Sequence, residues 1–173
     1  DATDRAVFIA PMTAINHWPA PEGPLLATTE SACRAGLSGQ FGPGQHPWDD
    51  GPQEFTGNPL TNDPVRFARV MDIYDRKPAL KIGGPTYGWL RAAFRSMRRA
   101  REKAYLKRIS TPSLLVSAGS DTVVNSRTHP GIAKALPRCE FLHIHGSKHE
   151  VLHETDAIRH CFFRAFDRHT HSR

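Results

Sequence analysis

Three short, nearly unbroken apolar runs stand out along this chain: Ala6 to Met12, Ser113 to Ala118 and Glu140 to His145. Runs of this length bounded by Gly and Pro are typical of strands buried on both faces of a parallel sheet. Elsewhere the apolar positions recur at helical spacing. Residues 24 to 37 open with Pro24 and stop near Gly36, and Asn62 or Asp63 caps a helix that has Pro64 in its first turn and runs to about Lys77. From Pro85-Thr86 a third helix puts Leu90, Ala93, Phe94 and Met97 on one face and Arg91, Arg95, Arg98, Arg99 and Arg101 on the other. Arg127 to Leu136 can supply the crossover helix between the second and third strands. A closing helix capped by Thr155 would lay Ile158, Cys161, Phe162, Ala165 and Phe166 on the sheet, with a frayed tail over Arg168 to Arg173. Residues 38 to 62, rich in Gly and Pro and without a period, form a long loop.

The pattern is α/β: about three parallel strands with flanking helices, and a long helical insertion after the first strand that caps the sheet. Three parallel strands alone would leave the first with an apolar edge in need of a partner.

In such sheets ligands bind beyond the carboxyl ends of the strands. There stand Asp121, after Ser113 to Ala118 and Gly119-Ser120, and His149, after the third run and Gly146-Ser147-Lys148. An acid beside an imidazole is the second half of an acid–base–nucleophile relay. The first half, a serine in a Gly-x-Ser-x-Gly elbow, is missing. Ser38, in Gly36-Leu37-Ser38-Gly39-Gln40, fails at the last position, and Ser120, Ser126 and Ser147 lack the frame. Because the chain opens at Asp1 and enters a strand almost at once, the nucleophile-bearing half is expected to lie outside it.

A rival occupies the same place. His149-Glu150-Val151-Leu152-His153 is a literal His-Glu-x-x-His, the zinc-peptidase motif. Its context is a strand and a Gly-Ser turn rather than a helix interior, and Asp156 and Arg159 stand where the extended motif has Gly and His. His143 and His145 alternate along one strand face and could reach a metal with His149, but the set has no further ligand of fixed geometry. No metal or organic cofactor is expected.

At 173 residues and 39% hydrophobic the chain can bury one core, and no apolar run approaches a membrane span. The net charge of +6 is dispersed except between Arg91 and Arg108, which argues against a nucleic-acid partner. The basic helix has two readings: a solvated outer face of the cap, or a peripheral membrane contact through Arg91, Arg95 and Arg98. Tyr87, Trp89, Phe94 and Met97 form an aromatic cluster that serves as cap core or as a substrate-binding wall. Three cysteines, Cys33, Cys139 and Cys161, without a close pair suit a reducing compartment, so a cytoplasmic location is expected.

Four segments in order carry a resemblance: Leu60-Thr61-Asn62-Asp63-Pro64-Val65-Arg66-Phe67, Gly84-Pro85-Thr86-Tyr87-Gly88-Trp89-Leu90, Ala118-Gly119-Ser120-Asp121-Thr122-Val123-Val124 and Gly146-Ser147-Lys148-His149-Glu150. Together they resemble the α/β-hydrolase family, in particular its bacterial lysophospholipase and monoacylglycerol-lipase branch, the serine-aminopeptidase-like hydrolases. The resemblance implies the C-terminal portion of a hydrolase fold, with a core strand over 1–12, a helical cap over 13–108, the acid and base loops over 109–168 and a tail over 169–173. It implies a serine-type hydrolase of lipid or other hydrophobic acyl esters, with Asp121 as triad acid and His149 as base. This chain alone would be inactive, needing its missing N-terminal half or a partner chain. The alternatives are a non-catalytic, partner-binding fragment and the zinc peptidase.

Overall fold

In a computed structural model, which describes residues 3–16, 21–49, 51 and 53–171, the three apolar runs form one parallel sheet in the order β1 (Ala6–Ile9), β2 (Ser113–Ala118), β3 (Cys139–Ile144). β2 is the central strand and is buried along its whole length. Its register pairs Leu114 with Val7 on one side and Glu140 on the other. Side chains alternate across a strand, so β2 serves two cores. Leu114, Val116 and Ala118 meet Phe162 and Ala165 of α6 (Asp156–His171). Leu115, on the opposite face, meets Ile132 and Leu136 from around α5 (His129–Ala135) and Leu106 of the short α4 (Lys103–Leu106). Leu106 lies inside the stretch assigned by sequence to the cap, yet it packs under the sheet.

Between β1 and β2 the chain builds a helical layer. α1 (Glu22–Arg34) and α3 (Tyr87–Ala100) pack together through Leu26, Ala93, Phe94 and Met97. Phe94 and Met97 are 2% and 1% exposed, and burial of such a side chain is worth about 1.5–3 kcal/mol. α2 (Pro64–Arg76) begins where Asp63 accepts hydrogen bonds from the Val65 and Arg66 amides at 2.9 Å, with Pro64 in the first turn. Only Phe67 of α2 is buried, and it packs edge-on against Phe55 of the long loop.

Of the three strands expected to be buried on both faces only β2 is: β1 and β3 are outer strands, which leaves Phe8 and Phe141 39% and 40% exposed. The other differences from expectation are local. β1 stops at Ile9 because Ala10 adopts a left-handed φ of 42°, ahead of Pro11. α1 ends at Arg34, earlier than the predicted 37: Gly36, at φ 82°, closes a Schellman turn in which the Leu37 amide donates to the Ala32 carbonyl. The crossover helix starts at His129, since a 3₁₀ turn takes Ser126–Thr128. The expected frayed tail is helical to His171, with His169 buried; residues 172 and 173 lie outside the described residues. Cys33, Cys139 and Cys161 are free thiols.

Candidate active site

The acid loop leaves β2 through Gly119, where the backbone passes unusually close to the next strand. A Cβ there would sit 2.9 Å from the Ile144 carbonyl oxygen and 3.0 Å from His145 Cα, so only glycine fits without displacement. That approach lets the Gly119 amide bond Ile144 at 2.9 Å and the Ser120 amide bond the Ser147 carbonyl at 2.8 Å. The sheet pairing thus continues past the strand ends and fixes the two loops against each other. Asp121 follows, with Oδ1 accepting from the Val123 and Val124 amides at 2.8 and 3.0 Å in an Asx-type turn.

The turn is also pinned from the segment entering the cap. Asn16 Nδ2 donates to the Thr122 and Val124 carbonyls, the Asn125 amide bonds the Ala14 carbonyl, and Ile15 bridges Val124. His149 Nδ1 is 2.8 Å from Asp121 Oδ2, with the Asp121 side chain fully enclosed and that of His149 22% exposed. The carboxylate can only accept, so Nδ1 carries the proton and Nε2 is left as the basic nitrogen. Nε2 makes no hydrogen bond among the described residues. Such a pair can accept a proton from a hydroxyl and stabilise the imidazolium that results.

Behind the pair lies His129, wholly buried, between Ser117 Oγ (3.0 Å from Nδ1) and the Pro11 carbonyl (2.9 Å from Nε2). Nε2–H donates to Pro11, and burial pushes the imidazole pKa below its ordinary value.

Over residues 1–156 the chain matches the family model described as serine aminopeptidase, S33. It belongs to this family. Lysophospholipase L2 of Escherichia coli K12 is 31% identical over 126 residues, covering 66% of this chain and 36% of that protein. The probable lysophospholipase L2 of Haemophilus influenzae is 30% identical over 104 residues, covering 59% and 32%. Among solved structures, monoacylglycerol lipase from Paleococcus ferrophilus superposes with a TM-score of 0.68 at 19% identity, over 99% of this chain and 61% of that one. A soluble variant of monoglyceride lipase from Saccharomyces cerevisiae gives 0.64 at 12% identity, over 94% and 55%. The chain therefore carries part of the α/β-hydrolase fold and spans about a third of the length of the curated relatives it matches.

Within this S33-family chain, the other sequence-predicted residues fall as follows. The His-Glu-x-x-His segment is not α-helical: Val151–His153 is a 3₁₀ turn, and His149 turns its Nδ1 to Asp121 while His153 Nδ1 faces Glu150 at 3.6 Å. The one-turn helical spacing that would aim both histidines at one ion is absent. Among the described residues no group of three His, Cys, Asp or Glu side chains is placed to hold a metal, His143 and His145 included.

Phe94 and Met97 do not line an open wall; they are consumed in the α1–α3 core, because the helix period aims them at Leu26. Tyr87 is partly exposed and Trp89 is 50% exposed on the first turn of α3. A narrow apolar cavity of about 90 Å³ occurs instead beside α2, lined by Leu60, Phe67, Met71 and Tyr74 together with His153 and with Glu150, the residue next in sequence to His149. The same four cap residues line a wider cavity of about 480 Å³. Sequence inspection gave no place at the site to Asn16, whose side chain holds the Asp121 turn, to Asn58, whose side chain orders the Leu60 and Thr61 amides, or to Asn62 and Glu154, which bond each other and the loop carrying His149. The last two do lie within or beside motif segments, and a polar residue in a motif that makes no chemical sense on its own was the available signal.

Proposed function

We propose that the protein to which this chain contributes is a serine-type hydrolase of carboxylic esters with a hydrophobic acyl group, of the lysophospholipid or monoacylglycerol kind. Its acid is Asp121 and its base His149. The observation that carries the proposal is the 2.8 Å bond between them at the carboxyl edge of the sheet. The names borne by the relatives support the substrate class. The nucleophilic serine and the oxyanion donors come from sequence outside these residues. His149 Nε2 takes the serine hydroxyl proton as the oxygen attacks the ester carbonyl, then returns it to the leaving alkoxide, releasing an alcohol. It next takes a proton from water as that attacks the acyl-serine, and returns it to the serine oxygen as the acid departs. Asp121 stays ionised throughout.

The cleft formed by Leu60, Phe67, Met71 and Tyr74 is the preferred bed for the acyl chain, since α3 spends Phe94 and Met97 on packing. The nucleophile-bearing part covers the β1 edge, where Phe8, Met12, Tyr105 and Leu115 help line an apolar groove of about 280 Å³. Work at the cytoplasmic face of the membrane fits the exposed Arg95 and Arg98 and partly exposed Arg91, although Glu30 already binds Arg95 at 2.7 Å. No described helix is long and apolar enough to cross a membrane.

The test joins this chain to its upstream nucleophile-bearing portion and assays short- and long-chain esters. His149→Ala is expected to lower kcat/KM by at least about 10³-fold. A loss of only a few-fold refutes the mechanism.

A further inference from the structure

His149 lies on a loop with little secondary structure of its own, and much of what holds that loop comes from the cap. The Glu154 side chain, at 0% exposure, is its centre. Oε1 accepts from Asn62 Nδ2 and from the Lys148 amide, both at 2.8 Å. Oε2 accepts from the Asn62 and Thr155 amides, both at 3.1 Å. A carboxylate is tolerated inside a protein only when donors replace its water in this way.

Asn62 Nδ2 also donates to the Gly146 carbonyl at 3.0 Å, so one cap side chain grips the loop before and after His149. Further bonds run in parallel: Thr61 Oγ1 to the His153 carbonyl at 2.7 Å, and Lys148 Nζ to the Asn58 carbonyl at 2.8 Å. The Glu150 amide donates to the Leu60 carbonyl at 2.8 Å. Asn58 is itself buried, its Oδ1 accepting from the Leu60 and Thr61 amides and its Nδ2 donating to the Phe55 and Thr61 carbonyls. The residues on either side of His149 are therefore pinned by their amides, Lys148 to Glu154 and Glu150 to the cap.

We infer that Glu154 and Asn62 are positioning residues for the base: a latch through which cap residues 58–62 set the place of His149. The cap cannot lift at this end without withdrawing the imidazole from Asp121, so any opening for substrate occurs on the α1–α3 side. The consequence for hydrolysis rests on the function proposed above; the latch itself concerns only where the imidazole is held.

The experiment reads the hydrogen-bonded His149 Nδ1 proton by NMR in the full chain, each variant held well below its own Tm. The variants are Asn62→Ala, which leaves Glu154 three of its four donors, and Glu154→Gln, which turns an amide NH₂ toward two of them. Leu26→Ala, in the α1–α3 core, is the control for stability loss alone. Both latch variants are expected to broaden or abolish the His149 proton and to speed exchange of the Lys148 amide by about tenfold or more, while the control lowers Tm and keeps the proton. In the joined protein they lower kcat by about 10²-fold with KM within about two-fold.

If Glu154→Gln does not fold, Asn62→Ala decides. Latch variants that behave like Leu26→Ala overturn the latch. A His149 proton that responds to the latch in a protein that hydrolyses no ester overturns the hydrolase and leaves the latch standing. A native chain without that proton overturns both.

Discussion

Replacing Asp121 by Asn asks whether the acid acts by fixing one imidazole tautomer. The carboxylate accepts three hydrogen bonds, from His149 Nδ1 at 2.8 Å and from the Val123 and Val124 amides at 2.8 and 3.0 Å. Asparagine keeps one carbonyl oxygen, and the two amides claim it because they can only donate. Its NH₂ then faces Nδ1, and donor meets donor unless the ring moves its proton to Nε2. Nδ1 becomes the acceptor, and Nε2, the nitrogen needed as base, becomes an N–H. In stability, a charge-assisted hydrogen bond of about 1.5–3 kcal/mol gives way to a neutral one of about 0.5–1.5, a net loss of about 1–1.5 kcal/mol. For a chain of this size that is about 2–6 °C in Tm. Tautomer inversion in a Ser-His-Asp relay lowers kcat by about 10⁴-fold, far beyond anything the small stability loss explains. The assay pairs nitrogen NMR of His149 in this chain with ester turnover in the joined protein. An Asn variant that keeps Nδ1–H, or keeps kcat within tenfold, refutes the reasoning.

Gly119→Ala must push β2 and β3 apart at their ends, where its Cβ would meet the Ile144 oxygen at 2.9 Å. A stability loss of about 1–3 kcal/mol is expected by urea unfolding, with loss of the His149–Asp121 proton resonance. Phe94→Ala is expected to lose about 3–5 kcal/mol without shifting acyl-chain preference, because Phe94 is a packing residue of the α1–α3 core; a changed chain-length profile at unchanged stability would restore it to the substrate wall. His129 makes acid destabilising. Its native pKa is depressed by burial, so below about pH 6.5 the unfolded chain takes up a proton that the native chain refuses. Stability is full above that pH and declines as pH falls toward the native pKa. His129→Gln, which keeps a donor for Pro11 and an acceptor for Ser117, should flatten the fall in urea midpoint between about pH 7.5 and pH 5.5, and an unchanged slope refutes it.

The strands and most helices were legible because each is dictated locally. β2 needs nothing beyond its own short unbroken apolar run to be recognised, and α2 announces itself through Asp63 and Pro64. Errors came where a boundary depends on one backbone dihedral, as at Ala10 and Gly36. Helical period also could not choose between cap core and substrate wall for Phe94 and Met97. An apolar stripe says that a surface is covered, and Leu26, far away in sequence, is what covers Phe94 and Met97.

The meeting of Asp121 and His149 was legible for a different reason: topology carries the carboxyl ends of neighbouring parallel strands to one rim, so residues following two such strands are brought near each other. Nothing so regular leads to Glu154. Its partner Asn62 lies in the cap, 92 residues before it, while Lys148 follows β3, and a glutamate in a sequence is by default a solvent-exposed residue. What distinguishes it is complete burial with both oxygens doubly bonded, a property of the assembled cap and core. Polar side chains that position a base are therefore hidden from pattern arguments in proportion to how non-local their donors are. Asn16 obeys the same rule: it holds the Asp121 turn by the Thr122 and Val124 carbonyls from more than a hundred residues away, as Asn62 and Glu154 hold the loop of His149, so the cap adds its grip on both members of the pair to the strand-end bonds of Gly119 and Ser120.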